Sequence, residues 1–548
     1  MSILLETIHK NMKRPVVGAL FVILLLGVGL RVWHQSDLLV LKSDQARDAL
    51  IMHTAFQEGF QTLPLLGPQA GSTEFKLGPA TYYFQYLSGK IFGGSVESLA
   101  YPDLLFGILV IPVFFLLFRR FFSVPLSLWL TTLSSVSLLL VTFSRFAWNP
   151  NSLPFFTALF TVFFLSALDA TGRKRLWLLV SSAFAFGIIA QLHLVPTVAL
   201  GFSLVLFILF SRTLKWKEVL LALSIIVVMQ GPIFLSEYQT GGGNMGKFFG
   251  AVQDDTYQDK GHNSIEKVIR AYQHNARNLW LMATGNQDTD VIAFKGFSLK
   301  CDKKCDEAMP YTLSALVLFT FVLIVSFLGW KKEKDARRKR DLSFILLWSA
   351  GFFLVTILVA YEVQTRFYLG IVPAFFILLG LGIECILSLS SSLWWKRIIL
   401  FFGIVILGIN LQTTLLFLGE LARSQVSAEE SSRDLRFGSE PKVTLGQLRA
   451  IGKGASQHFP KGEPVFISGE SRYTKSMYYV LSKELGYPSC YMRGEESVPA
   501  GLHHLFLSEN KPEKNAPESL PFGTLSASFT IADIVSEEVT FPAGCLTY

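Results

Sequence analysis

The sequence predicts a polytopic α-helical membrane protein of about eleven transmembrane helices with a small extracytoplasmic C-terminal α/β domain. Three observations predict it. Of 548 residues, 51% are hydrophobic and only 16% charged, against about 25% charged in a soluble domain. Mean hydropathy is +0.43, and eleven apolar stretches approach the length of about 20 residues that a 30 Å hydrocarbon layer requires. The Lys and Arg residues alternate from loop to loop, as the positive-inside rule demands. A soluble enzyme, a disordered chain and a collagen-like fibre are excluded.

The expected spans are 15–33, 101–118, 124–143, 152–169, 176–192, 195–211, 218–236, 311–330, 342–361, 369–388 and 398–418. With the N-terminus cytoplasmic, the cytoplasmic segments are 1–14, 119–123, 170–175, 212–217, 331–341 and 391–397. They carry twenty Lys and Arg against Glu6, Glu333, Asp335 and Asp341. That is a net of about +16, which leaves about −8 for the rest of a chain whose total is +8. The positive charge therefore reports topology, and no nucleic-acid partner is implied. The first stretch is long and lacks a cleavage-site pattern, so it reads as an anchor rather than a signal peptide. The expected location is a bacterial cytoplasmic membrane, with the C-terminal region outside.

Residues 1–424 form the membrane module in this reading, with outer loops 34–100 and 237–310, and 425–548 form the outer domain. Residues 82–93 read as an interfacial helix. In the tail, 463–469 and 503–508 read as strands and 473–485 as a helix, an α/β alternation. Gly452-Lys453-Gly454 begins like a dinucleotide fingerprint, but Gln457 stands at the third glycine, so no cofactor is assigned. Four of the five cysteines fall outside, on the oxidising side. The expected pairs are Cys301–Cys305 and Cys490–Cys545, with free thiols as the alternative.

Polar residues gather at the outer ends of the spans. Asp44, Arg47 and Asp48 stand at i, i+3 and i+4 and would share a helix face. A carboxylate there acts as general base toward a hydroxyl, or merely caps a helix. Lys76 precedes Leu77-Gly78-Pro79 and then Tyr82 and Tyr83; it either binds a phosphate or snorkels. Arg145 in Ser144-Arg145-Phe146-Ala147-Trp148-Asn149-Pro150-Asn151, and Arg366 in Glu362-Val363-Gln364-Thr365-Arg366-Phe367-Tyr368, are lone outer arginines. With Lys76 they would make an anion site, since Arg suits bidentate phosphate contacts; the alternative is that each caps carbonyls or snorkels. His193, after Gln191-Leu192, is either hydrogen-bonded structure or part of the pocket. Arg31 reads as snorkelling or lining a cavity. No clustered His/Asp set suggests a metal, so none is assigned.

These residues, in this order and topology, resemble the polyprenyl-phosphate-dependent glycosyltransferases of the GT-C class. The closest likeness is to the family-39-like branch of protein O-mannosyltransferases and aminoarabinose transferases. Asp44 lies in a long first outer loop, where that class carries an acidic residue. Lys76-Leu77-Gly78-Pro79…Tyr82-Tyr83 is similar to its Lys-Pro-Pro-Leu-Tyr-Tyr segment. Thr365-Arg366-Phe367-Tyr368…Pro373 is similar to its Arg-Tyr…Pro segment. Many relatives carry Asp-Glu where this chain has Asp44-Gln45.

The resemblance implies a lipid-phosphate sugar donor and an inverting transfer to a hydroxyl acceptor of unspecified kind, whether protein, lipid or glycan. Asp44 is the expected base. Lys76, Arg145 and Arg366 are expected to bind the donor phosphate. Arg47, Asp48, Tyr82, Tyr83, His193, Glu362 and Tyr368 are expected around the substrate. The rival reading is a flippase for a lipid-linked glycan. Transporters, however, place ionisable groups at the midplane, and here they crowd the outer edge.

Overall fold

A computed structural model describes residues 14–71, 73–253, 263–289, 291–295, 298–301, 305–423, 436–437, 440–441, 444–469, 473–491, 503–509 and 525–530. The described residues of the membrane module are mainly helical. In chain order its helices are α1 (Arg14–Val32), α2 (Ser43–Glu58), α3 (Ala80–Phe92), α4 (Val96–Phe121), α5 (Val124–Val136), α6 (Leu138–Phe143), α7 (Leu153–Asp169), α8 (Gly172–Leu192) and α9 (Leu194–Ser211). There follow α10 (Trp216–Met229), α11 (Gly231–Thr240), α12 (Gly243–Gln253) and α13 (Ser264–Thr284). After the hairpin β1 (Ile292–Lys295) and β2 (Ser298–Cys301) come α14 (Cys305–Lys332), α15 (Ala336–Leu358), α16 (Val372–Ser388) and α17 (Leu393–Arg423).

Every expected apolar stretch is helical. Among the described residues, seven helices are long and apolar enough to cross a membrane by themselves. The bent pair α10 and α11 makes an eighth, with a 56° angle at the break, where Gly231 and Pro232 weaken the helix. The apolar helices α5, α7 and α16 are shorter. The protein is thus embedded in the membrane, with fewer full-length spans than the eleven that hydropathy suggests. Two expected spans are broken helices: 124–143 divides at Ser137 and 218–236 at Gln230.

Phe side chains fill much of the interior. Phe114, Phe118, Phe160 and Phe344 are almost fully buried, in offset and edge-to-face contacts such as Phe160 on Phe164 at 5.5 Å. At the end of the bundle away from α2, charges are paired. Asp341 is 1% exposed and meets Arg120 at 2.6 Å and Arg340 at 2.8 Å. Asp169 takes Arg120 at 2.8 Å and Arg337 and Arg340 at 2.7 Å. This network ties α4, α7 and α15 together.

The tail contains the short pair β3 (Arg436–Phe437) and β4 (Glu440–Pro441), then α18 (Leu445–His458), β5 (Val465–Gly469) and α19 (Thr474–Tyr478). The last continues into a π-helical turn, Tyr479–Glu484. Then come β6 (Ser489–Tyr491), β7 (His503–Glu509) and β8 (Leu525–Thr530). The sheet order is β6-β5-β7-β8, with β5 parallel to both neighbours and β8 antiparallel. Gly452, which begins the apparent fingerprint, lies inside α18. Its missing side chain makes room for Val480 and Leu485, 3.0 Å from where a Cβ would stand, so it is a packing glycine.

The tail grips the membrane module near α2. Val40 bridges to Thr444, and Leu445 N–H donates to the Leu39 carbonyl at 2.7 Å. Arg449 pairs with Glu97 at 2.6 Å and Glu484 at 2.8 Å. Cys490 is buried and disulfide-bonded. Its expected partner Cys545, and the side chains of Cys301 and Cys305, lie outside the described residues.

Candidate active site

The site is built on α2, whose start is well specified. Leu39, Val40 and Leu41 are buried and set the entry of the chain. The Gln45 side-chain oxygen accepts the Lys42 N–H at 3.1 Å, satisfying one of the free donors of a helix start. This gives Gln45 a structural role at the start of the helix. Asp44 sits in the first turn, where the helix dipole favours negative charge.

The expected shared face is present. Arg47 reaches Asp44 at 3.1 Å and Asp48 at 2.8 Å. The Tyr82 hydroxyl, brought from α3, donates to Asp48 at 3.2 Å. The two carboxylates differ sharply in access: the Asp44 side chain is 48% exposed and that of Asp48 is 1% exposed. Burial pushes Asp48 up to about 6, and Arg47 offsets this only in part. For Arg47, burial acts downward, but Asp48, Tyr82 and Asp44 outweigh it and raise the guanidinium.

The Asp48 shift has a testable consequence. A carboxyl with a raised folded-state pKa favours the folded protein most below its ordinary value of 3.8, and that contribution is lost as pH rises through about 6. Conversely, acidification through 6 neutralises the partner that orients Arg47. The pH profile of kcat/KM is expected to fall on the acid side near 6, and Asp48→Asn should remove that limb. A wild-type profile flat from pH 5 to 7 would contradict the assignment.

Lys76 lies in a hairpin-like loop held by the bridge Gln69–Lys76. Its side chain is exposed, and its ammonium forms no ion pair among the described residues. The loop turns at Gly78 and Pro79 into α3. Gln191 fixes that turn by accepting the Ala80 N–H at 3.1 Å. It also donates to the Met229 carbonyl at 2.7 Å. A Cβ on Gly78 would stand 2.4 Å from Gln191, so this close approach requires glycine.

His193 follows Gln191 at the junction of α8 and α9, edge-on to Phe367 at 4.9 Å. Burial, and secondarily Arg366, lowers it to about 3, which favours the neutral imidazole. The Arg366 guanidinium lies 4.8 Å above the Trp148 ring, a cation–π contact. Trp148 is in turn positioned by Asp103, which accepts the Trp148 N–H at 3.0 Å and the Ser152 hydroxyl at 2.5 Å. Two local sets of contacts are thus formed: Asp48 with Arg47 and Tyr82, and Arg366 with Trp148 and Phe367, against which His193 also packs.

Other expected site residues stand elsewhere. Arg145 is 4% exposed and donates to the carbonyls of Leu30, Arg31 and Trp33 at 2.9, 2.8 and 2.7 Å. It caps the end of α1, because those carbonyls have no partner within the helix, and is not offered to a donor phosphate. Tyr368 is fully buried against Phe352. Tyr83 turns toward Phe60, 5.6 Å away. Glu362 is exposed. Arg31 does not snorkel: it is fully buried and donates to Gly27 and Ser135 carbonyls.

Sequence reasoning missed Asp103 and the polar row of α13. Asp103 was visible as a carboxylate inside an otherwise apolar stretch. Helix α13 buries Gln273, His274, Asn275 and Asn278, and Asn275 donates to Thr356 at 3.1 Å. Its helical periodicity (Ala271, Asn275, Asn278, Met282) was the available signal. Among the described residues, no three His, Cys, Asp or Glu side chains converge as a metal site requires.

Residues 76–234 match the family described as dolichyl-phosphate-mannose-protein mannosyltransferase. This segment includes Lys76, Arg145 and His193, while Asp44 and Arg366 lie beyond it. No curated protein matches the chain. Among solved structures, ArnT from Cupriavidus metallidurans bound to undecaprenyl phosphate is 14% identical, with a TM-score of 0.54 over 90% of this chain and 92% of that one. The same protein in the apo state gives 13% and 0.53, over 90% and 91%. The family match covers residues 76–234, less than a third of the chain, and the likeness to ArnT is one of fold.

Proposed function

We propose that this chain transfers a sugar from a polyprenyl-phosphate donor to a hydroxyl acceptor at the outer face of the membrane, with inversion at the anomeric carbon. The observation that carries the reading is the α2 face: an accessible Asp44 beside a buried, Tyr82-bonded Asp48, with Arg47 between them. The acceptor oxygen attacks the anomeric carbon and its proton passes to the Asp44 carboxylate. The bond from that carbon to the donor phosphate oxygen breaks, and its electron pair leaves with the prenyl phosphate. Negative charge grows on that phosphate, so cations near it stabilise the transition state more than the ground state. Lys76 and Arg366 fill this role. ArnT, which shares the fold, has been captured with undecaprenyl phosphate, which supports a prenyl-phosphate donor.

In this reading the N-terminus is cytoplasmic and the Asp44 end of the bundle faces outward, in a bacterial cytoplasmic membrane. The eleven apolar helices or broken helices cross it, and residues 425–548 lie outside. The Arg120–Asp169–Asp341 network then marks the cytoplasmic end, where basic loops belong.

The test is release of free prenyl phosphate from a prenyl-phosphate sugar by purified protein, and its absence with active acceptors present would overturn the proposal. Arg366→Ala is expected to weaken prenyl-phosphate binding about tenfold or more, since a charge-assisted contact contributes about 1.5–3 kcal/mol. Titration of the protein with prenyl phosphate measures it. An unchanged affinity removes Arg366 from the donor site.

A further inference from the structure

Helix α12 has the sequence Gly-Asn-Met-Gly-Lys-Phe-Phe-Gly-Ala-Val-Gln, and three glycines make it a weak helix. Of residues 243–250 only Asn244 is buried, at 5% exposure. A stretch whose residues 243–250 bury a single side chain, and that one polar, is not shaped by core packing. Asn244 instead engages the Lys76 backbone on both sides. Its oxygen accepts the Lys76 N–H at 2.8 Å and its amide donates to the Lys76 carbonyl at 3.0 Å. An amide is suited to this because it copies a peptide group, accepting and donating in one plane as a neighbouring strand would.

The contact continues along the loop. Glu74 pairs with Lys247 at 3.3 Å, and Phe75 packs edge-on against Phe248 at 5.2 Å. Three successive residues, 74 to 76, are thus each met by α12. The ion pair is largely exposed and contributes little, so the buried amide carries most of the register. The backbone of Lys76 is held while its side chain stays exposed.

We infer that Asn244 is a positioning residue for Lys76. It holds the loop so that the ammonium stands where a prenyl-phosphate donor places its phosphate. The inference rests on the donor role proposed above for Lys76, and the experiment separates the two.

Prenyl-phosphate affinity and the split between donor KM and kcat are measured for intact wild-type protein, Asn244→Ala, Lys76→Ala and the double variant. Asn244→Ala is expected to weaken affinity about tenfold and raise donor KM, with kcat at saturating donor nearly unchanged. In the Lys76→Ala background the same change should cost less than twofold, because a residue that acts through Lys76 has nothing left to position. Equal losses in both backgrounds would overturn the inference and leave the donor role of Lys76 standing. No loss from Asn244→Ala in either background would do the same. A Lys76→Ala variant with unchanged affinity would sink the donor role and the inference together. Should Asn244→Ala fail to fold, Asn244→Asp preserves the size and the accepting oxygen but cannot donate while ionised, and the same cycle applies to it.

Discussion

Asp44→Asn is expected to lower kcat by a factor of about 10² to 10⁴, the range spanned by general acid–base catalysis, while leaving prenyl-phosphate affinity within about twofold. The substitution preserves shape, an oxygen beside Arg47, and a residue tolerated in a first helical turn. It removes the basicity. Arg47 keeps its contacts with Asp48, at 2.8 and 2.9 Å, so the helix face should hold. Release of prenyl phosphate and donor titration separate the two effects. Near-normal turnover would sink the base assignment. A matching loss of donor affinity would show that Asp44 acts on binding instead.

The second large effect concerns stability at the other end of the bundle. Asp341→Ala is expected to destabilise the protein by about 3–5 kcal/mol, the cost of removing one partner from a buried ion pair. Arg120, itself only 8% exposed at the side chain, would keep Asp169 but lose its 2.6 Å partner on α15. Arg340 would lose its 2.8 Å contact to the same carboxylate. Thermal unfolding in detergent should show a clear fall in Tm, with prenyl-phosphate affinity retained by whatever fraction stays folded. A Tm unchanged within error would mean that the network adds nothing to the packing of α4, α7 and α15.

The fold was legible because the bilayer imposes simple rules. Apolar length and loop charge are local properties, so each helix from α1 to α17 that fills an apolar stretch could be located without knowing its neighbours. The breaks at Ser137 and Gln230 were harder, since an apolar run looks continuous whether or not its helix is. In the site, Asp44, Arg47 and Asp48 were legible because i, i+3 and i+4 spacing is a helix property. The accessibility contrast between the two carboxylates was not, because it depends on Tyr82 arriving from another helix. Arg145 and Arg366 looked alike in sequence, each a lone arginine beside aromatic residues. One caps the three carbonyls at the end of α1, and the other lies over Trp148. Only the three-dimensional neighbours distinguish them. Asn244 carried no signal, since its partner is a backbone 168 positions away.

The grip of the tail on the first loop has a consequence for biosynthesis. The lead-in to α2 is paired with Thr444 and Leu445, and Glu97 just beyond α3 is paired with Arg449. These partners are made some four hundred residues after the elements they hold. Translation adds about 5–20 residues per second, so the helix bearing Asp44 waits on the order of a minute, already in place, before its last support arrives. A nascent or truncated chain would therefore hold the proposed catalytic residues without their final bracing, and activity would begin only once the tail has been made and has docked on the first loop.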